Sequence, residues 1–174
     1  NGARAYIAQR QALQGKEDPP GSGRYPEPKW LGMIHHDIML FDHGMPRPDG
    51  TISPEQRPEA DVNIEFQENS KTAAESHKFA LVFKNANGRY ATDYPATVGS
   101  HMQSTDSVPF QNYTATVSVR DNQRVAEIGN GSNPHWHQPT DVYTAFSEDD
   151  FQLGFNAVQM TLGTVAELAG TTLP

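Results

Sequence analysis

The chain has 174 residues and a formal net charge of −8, which argues against the clustered basic surface that binds nucleic-acid backbones. Its length suffices for one domain with a sizeable core, and no apolar run reaches the roughly 18 residues that span a bilayer. The absence of cysteine excludes disulfides and thiolate metal sites, so any metal would need histidine and carboxylate ligands. We therefore expect neither a nucleic-acid nor a membrane partner.

The first third of the chain combines one helical pattern with one strongly apolar run. Residues 3–14 predict a helix that ends at Gly15, and a connector rich in proline and glycine follows at 19–28. The apolar run at 30–41 predicts a buried central strand. Residues 42–59 hold four prolines and two glycines, which favours a long excursion.

The middle of the chain predicts a strand and then a helix. Residues 61–67 alternate apolar and polar side chains, as a half-buried strand does. Asn69 or Ser70 can cap a helix that runs to about Asn87, with Gly88 as its stop.

The last third predicts two strands and the clearest helix. A short strand is expected at 98–102, and the β-branched residues of 114–119 predict a stronger one. Ser147 and Asp150 form a variant capping box at the start of a helix that Gly170 ends. Its apolar stripe, at helical spacing, consists of Phe151, Phe155, Val158, Leu162, Val165 and Ala169. Helices alternating with strands indicate a single α/β domain over residues 1–174, with a mixed, mostly buried sheet flanked by helices.

A polar triplet interrupts the apolar run, at His35, His36 and Asp37. A buried carboxylate is costly unless it is paired or bound to a metal, and the carboxyl end of a strand is where open α/β sheets place their sites. His35 would share the strand face of Asp37, and His36 would point to the other face. The alternative is that the triplet ends the strand and faces water.

Residues 132–141 hold two histidines two positions apart, His135 and His137, with Asp141 four positions after the second. In an extended segment the two imidazoles share one face. A neutral imidazole is a good zinc ligand, and its second nitrogen usually donates to a carboxylate, for which Asp141 is close enough in sequence. Such histidine pairs are also common as surface or aromatic-packing residues, so the spacing alone leaves both interpretations open.

The remaining polar segments are less informative by themselves. The turn at 104–110, which includes Asp106, is an Asx-type turn of the kind that is more often structural than functional. Asp42 and His43 could bind a metal, but the neighbouring glycine and proline favour a solvated loop. Ser107 has neither a nearby histidine nor nucleophile-elbow glycines, which argues against a serine hydrolase.

Taken in order, four segments resemble the second half of the co-catalytic zinc exopeptidases, the family of bacterial leucyl aminopeptidases, glutamate carboxypeptidase and glutaminyl cyclase. Residues 1–6 are similar to the Gly-Ser-Arg-x-Tyr helix start, and 32–39 to the strand that ends Asn-Leu-Asp-Met. The turn at 105–110 and the strand at 114–117 resemble a Ser-Asp-His-x-Pro-Phe turn and its following strand. Residues 133–141 are similar to the closing Asn-Pro-x-Tyr-His-x-Pro-x-Asp-Thr.

The resemblance implies a zinc-dependent aminopeptidase that hydrolyses the N-terminal residues of peptide substrates through a metal-activated water. It makes Asp37 a ligand of one zinc ion and His137 a ligand of the other, with Asp106 and Asp141 as supports that orient ligands or their loops. In that family the two zinc ions share a bridging Asp, and each has one further His or Glu. A separate Glu is the general base.

This chain departs from the family pattern at several positions. His35 and His135 remain weaker candidates for metal ligation. Ser107 replaces the usual His or Tyr of the turn, Val142 replaces the usual Thr, and His35-His36 stand where Asn-Leu is common. The other ligands and the general base would lie upstream of this chain, so no catalytic base is assigned within it.

We therefore expect the C-terminal portion of a zinc peptidase catalytic domain, whose partner is the missing N-terminal half. The chain begins at Asn1 rather than Met, so we expect a processed, trimmed or truncated start. We also expect a secreted or periplasmic protein. The complete enzyme would hold two zinc ions, whereas this chain alone would bind zinc poorly and be inactive. The alternatives are a cyclase or carboxypeptidase of the same family and a non-catalytic binding or assembly domain with the same fold.

Overall fold

The computed structural model describes residues 2–41, 44–46, 52–56, 62–121, 133 and 135–171, with 44–46 and 52–56 described by their backbone alone. The described residues form three α-helices and six strands. In chain order these are α1 (Gly2–Arg10), β1 (Met33–His36), β2 (Gly44–Pro46), β3 (Ile52–Gln56), β4 (Val62–Glu65), α2 (Ala73–Tyr90), β5 (Ala96–Gly99), β6 (Thr116–Asp121) and α3 (Glu148–Leu168). Short 3-10 turns lie at Gln11–Leu13, Val108–Phe110 and Tyr143–Ala145. None of the described helices is long and apolar enough to cross a bilayer.

Four of the strands form one mixed sheet in the order β1-β6-β4-β5. β1 is parallel to β6, β4 is antiparallel to β6, and β5 is parallel to β4. Strands β2 and β3 pair with each other in a separate antiparallel ribbon. The predicted α/β class with a mixed sheet is confirmed at this level.

The prediction of a central strand over residues 30–41 is wrong for the described sheet, because β1 has only four residues and lies at one end of the strand order. The apolar residues on either side of β1 pack against other elements of the fold. Trp30 stacks on Tyr6, with ring centroids 6.0 Å apart, and Leu40 packs on Gly154 of α3. Apolar content alone could not tell a long strand from a short strand with packed flanks.

One face of the sheet packs beneath α2 and α3 and forms the core. The strand residues of that face are Val62 and Ile64 of β4 and Val117 and Val119 of β6, all fully buried. The opposite face of β4 carries Asn63 and Glu65, which are also buried, so the predicted half-buried strand is buried on both sides. Its alternation separates an apolar face from a polar face, because successive side chains of a strand point to opposite sides of the sheet.

Helix α2 starts a few residues later than predicted and continues through Gly88 to Tyr90. The two residues beyond the glycine contact α3. Arg89 Nη1 donates to Glu167 Oε1 at 2.7 Å, and Tyr90 Oη donates to the same oxygen at 3.0 Å. These contacts extend the helix past a residue that would otherwise favour its end.

The N-terminus of α3 is capped as predicted. Ser147 Oγ accepts a hydrogen bond from the backbone N–H of Asp150 at 3.2 Å, and Asp150 Oδ2 accepts one from the N–H of Ser147 at 2.7 Å. Gly170, with φ of +73°, follows the helix as expected. The capping box and the terminal glycine could be read from the sequence because each acts within one turn of helix.

The predicted apolar stripe of α3 is not its buried face. Phe155, Val158, Leu162 and Val165 are exposed among the described residues. The fully buried apolar residues of this helix are Leu153, Ala157 and Met160. The buried face also contains Gly163, whose missing Cβ leaves room for the ring of Tyr90. Small residues on this face allow α2 and α3 to approach closely.

Helix α1 and its connector are joined through the buried carboxylate of Glu27. Tyr6 Oη donates to Glu27 Oε1 at 2.9 Å, and Trp30 Nε1 donates to the same oxygen at 2.6 Å. The hydrogen bond to Glu27, with a smaller contribution from burial, raises the pKa of Tyr6. These bonds fix α1 beside the end of β1 where the candidate site lies.

Candidate functional site

A polar cleft of about 500 Å³ opens beyond the carboxyl end of β1. Asp37 follows the strand directly, and its backbone N–H still donates to the carbonyl of Val119 at 3.0 Å, so the sheet fixes its position. His35 lies two positions earlier on the same strand face. The lining residues of the cleft are Arg4, His35, Asp37, Ser104, Thr105, Asp106, Val108, Pro109 and His137.

The structure brings together four of the six predicted site residues in this cleft: Asp37, Asp106, His137 and His35. They come from three segments that are far apart in the sequence. Asp141 lies in an adjoining cleft of about 290 Å³, which Asp37 and His137 also line. The side chains of Asp37, Asp106, Asp141 and His137 make no hydrogen bond or ion pair with another described residue.

The loop at 133–141 presents its two histidines differently. His137 is exposed, and its ring lies 4.5 Å from that of Trp136. His135 lines neither of the two clefts, and its Nδ1 lies 3.1 Å from Thr140 Oγ1. Its ring also packs edge-on against Phe146 at 5.8 Å. His135 therefore holds the loop together, whereas His137 leaves its ring nitrogens available.

Strained backbone conformations accompany this cleft. Ile38, Ser104 and His137 have φ values of 54°, 56° and 58°, and they are the non-glycine residues with positive φ in the described part of the chain. Ser104 and His137 line the cleft, and Ile38 follows Asp37 directly. Such conformations cost about 1–3 kcal/mol each and are found preferentially at functional sites. For a β-branched residue such as Ile38 the conformation is especially unusual.

The turn at 104–110 exposes Asp106 and buries Ser107. The N–H of Val108 donates to the carbonyl of Thr105 at 3.2 Å, which closes the turn. Ser107 is fully buried and its hydroxyl donates to Met102 Sδ at 3.1 Å. Ser107 therefore supports the turn and contributes no group to the cleft.

The donor types in the cleft suit zinc, but their number does not complete a site. A carboxylate and an imidazole are normal zinc ligands, and a catalytic zinc ion usually has about three protein ligands. In the described ranges, no group of three or more His, Asp and Glu residues is placed to hold a metal ion. Asp42 and His43 lie outside the described residues. Asp37 and His137 therefore fit zinc only as members of a larger ligand set.

Arg4 is the cleft residue that sequence reasoning did not single out. It lies on α1, is exposed, and makes no ion pair or hydrogen bond with another described residue. The available signal was its position in residues 1–6, one of the four segments that carry the family resemblance. A helix start next to Pro109 and Asp106 could not be expected from local sequence, because the contact depends on how α1 packs.

No family model matches the sequence, and no curated protein is significantly similar to it. The fold and the site together define an α/β protein with a carboxylate- and imidazole-bearing cleft at the end of a strand.

Proposed function

We propose that this chain carries part of the active site of a zinc-dependent exopeptidase, an aminopeptidase that hydrolyses the N-terminal residues of peptides. The observation that carries the proposal is the position of Asp37 and His137 in one cleft, with side chains that make no hydrogen bond or ion pair with another described residue. These are the two residues to which the family resemblance assigns zinc. The three strained residues at the same cleft support a functional role for it.

In this proposal Asp37 and His137 each bind one zinc ion. Asp106 and Asp141, which line the two clefts, are assigned as supports that would orient the ligands or their loops. His35 lines the cleft beside Asp37, and it is the next candidate for a ligand. The remaining ligands and the general base would come from residues other than those described. A cyclase or carboxypeptidase of the same family remains the alternative within this class.

The test is zinc titration of the full-length protein followed by NMR of the histidine rings, with variants Asp37→Ala and His137→Ala. We expect zinc to shift or broaden the ring resonances of His137 and to leave those of His135 unchanged, because only His137 faces the cleft. Each variant should weaken zinc binding about tenfold or more, as expected for the loss of one ligand. His135→Ala is the matched control from the same loop and should retain zinc binding.

Activity is tested separately, as hydrolysis of amino-acid p-nitroanilides by the full-length protein with and without a chelator. Full zinc content and full activity in Asp37→Ala would overturn the assignment. Zinc-dependent shifts at His135 instead of His137 would reverse the choice between the two histidines.

A non-catalytic binding or assembly domain is the second candidate function. It is favoured by the exposed apolar stripe of α3, which includes Phe155 and Leu162 and is a surface that assembly would cover. A full-length protein that takes up no stoichiometric zinc when zinc is supplied would support this candidate over the enzyme.

A further inference from the structure

A second cleft, of about 380 Å³, adjoins the cleft that contains Asp37. The two clefts share three lining residues, Arg4, Val108 and Pro109. Ile7 and Ala8 form the α1 wall of the second cleft, and with Arg4 they lie on one helix face because they are three and four positions apart. The volume is within the range of about 300–1,000 Å³ that is typical of small-ligand sites.

The chemistry of the second cleft differs from that of the first. Its remaining wall consists of Gln111, Asn112 and Tyr113, so the lining is apolar and aromatic with two amides. Asn112 Oδ1 accepts a hydrogen bond from the N–H of Lys71 at 3.1 Å, which leaves its amide N–H groups as donors. Arg4 is the single charged residue among the lining residues of this cleft. A cleft that combines apolar side chains with one cation and amide donors is suited to a ligand with an apolar part and one anionic group.

Arg4 has the properties of a residue that could bind an anion. Its side chain is exposed and makes no ion pair or hydrogen bond with another described residue. The guanidinium group presents five donors in a planar fork that matches a carboxylate. Asp37 and Asp106 line the adjoining cleft and would repel a dianionic phosphate more strongly than a singly charged carboxylate.

We propose that the second cleft is a subsite for the C-terminal residue of a short peptide and that Arg4 binds its free carboxylate. This inference rests on the proposed exopeptidase function, since it requires that the peptide also reach the cleft of Asp37 and His137. Because Arg4 lines both clefts, it lies at the passage from one to the other. The substrate class is therefore short peptides with a free carboxyl terminus and an apolar last residue.

The test compares the dipeptide Leu-Ala with its C-terminal amide, which lacks the carboxylate. Binding is measured by NMR titration of the chain in the presence of a chelator, so the result does not depend on zinc. We expect the free acid to bind about tenfold more tightly than the amide, which is the size of one charge-assisted hydrogen-bonded pair. Arg4→Gln should remove this preference, and Arg4→Lys should restore part of it.

Arg24→Gln is the matched control, because Arg24 is an exposed arginine of the connector that lines none of the clefts described above. It should keep the preference for the free acid. Equal binding of acid and amide to the wild-type chain, no binding of either, or a preference that persists in Arg4→Gln would each overturn the subsite. Zinc binding at His137 with no carboxylate preference would leave the exopeptidase proposal standing and remove this one.

Discussion

The helix-covered face of the sheet and the cleft at its edge differ in the burial of their side chains and in the strain of their backbone. Under α2 and α3, apolar side chains such as Phe83 and Leu153 are fully buried. At the cleft, Asp37 and His137 have no described polar partner, and the backbone is strained at Ile38 and His137. Apolar burial in the core stabilises the fold, whereas the strained backbone at the cleft destabilises it. Cleft residues should therefore be replaceable without unfolding the protein, and the predictions below test that separation.

The largest expected effect distinguishes two leucines of α3. Leu153 is fully buried in the core and Leu162 is 66% exposed. Leu153→Ala should lower the free energy of unfolding by about 2–5 kcal/mol, through lost burial and a residual cavity. Leu162→Ala, the matched control on the same helix, should change it by less than about 0.5 kcal/mol. The measurement is urea unfolding followed by circular dichroism.

A large loss of stability in Leu162→Ala would mean that the apolar stripe predicted from the sequence is covered in solution. That outcome would favour an assembled protein, and it should then depend on protein concentration.

A smaller effect of opposite sign is expected at the cleft. Ser104 has a φ of 56°, a conformation that glycine adopts without steric cost. Ser104→Gly should therefore raise the free energy of unfolding by up to about 1 kcal/mol, because relief of strain exceeds the added entropy of the unfolded chain.

Ser100→Gly is the matched control, since Ser100 is not among the residues with positive φ. It should lower stability by about 0.5–1 kcal/mol, and a gain equal to that of Ser104→Gly would show that strain at Ser104 is not the cause.

The smallest expected effect concerns the pH dependence of stability at His36. Burial, and then the neighbouring His35, lower the pKa of His36 below its ordinary value of 6.5. As the pH falls through 6.5 the unfolded chain takes up a proton that the folded chain does not, so stability decreases until the lowered pKa is passed. More than a third of the His36 surface is still exposed to solvent, which keeps the effect small.

His36→Gln should therefore lose less stability between pH 7.5 and pH 5.5 than the wild type does. The glutamine can still reach Thr161 Oγ1, which lies 2.8 Å from His36 Nε2. His101→Gln, at an exposed histidine beside Glu68, is the control. Identical pH profiles of wild type and His36→Gln would show that His36 does not contribute.

Much of the local structure could be predicted because its causes are local. The capping box at Ser147, the β-branched strand near Thr116 and the terminal Gly170 each depend on contacts within a few residues. Predictions failed where contacts between elements decide the outcome, as two examples show. Gly88 lies inside α2 because Arg89 and its neighbour contact α3, and the apolar run around β1 is divided between the sheet and its neighbours.

The candidate site was predictable in part for the same reason. Asp37 and His137 could be singled out from the residues around them, and the structure places both in one cleft. His135 could be separated from His137 only when its contacts with Thr140 and Phe146 were seen. Arg4 had only its position in the segment 1–6 as a signal, and its place in the cleft depends on how α1 packs.

The sequence by itself determined the alternation of helices and strands, the helix caps and the polar residues available for chemistry, because these depend on short-range geometry and residue type. The tertiary structure decided which face of α3 is buried, where β1 lies in the sheet, and that Arg4, Asp37, Asp106 and His137 meet at one cleft. These features depend on packing between segments distant in sequence. An apolar residue can lie on either face of a helix, and only the available partner surface determines which face is buried.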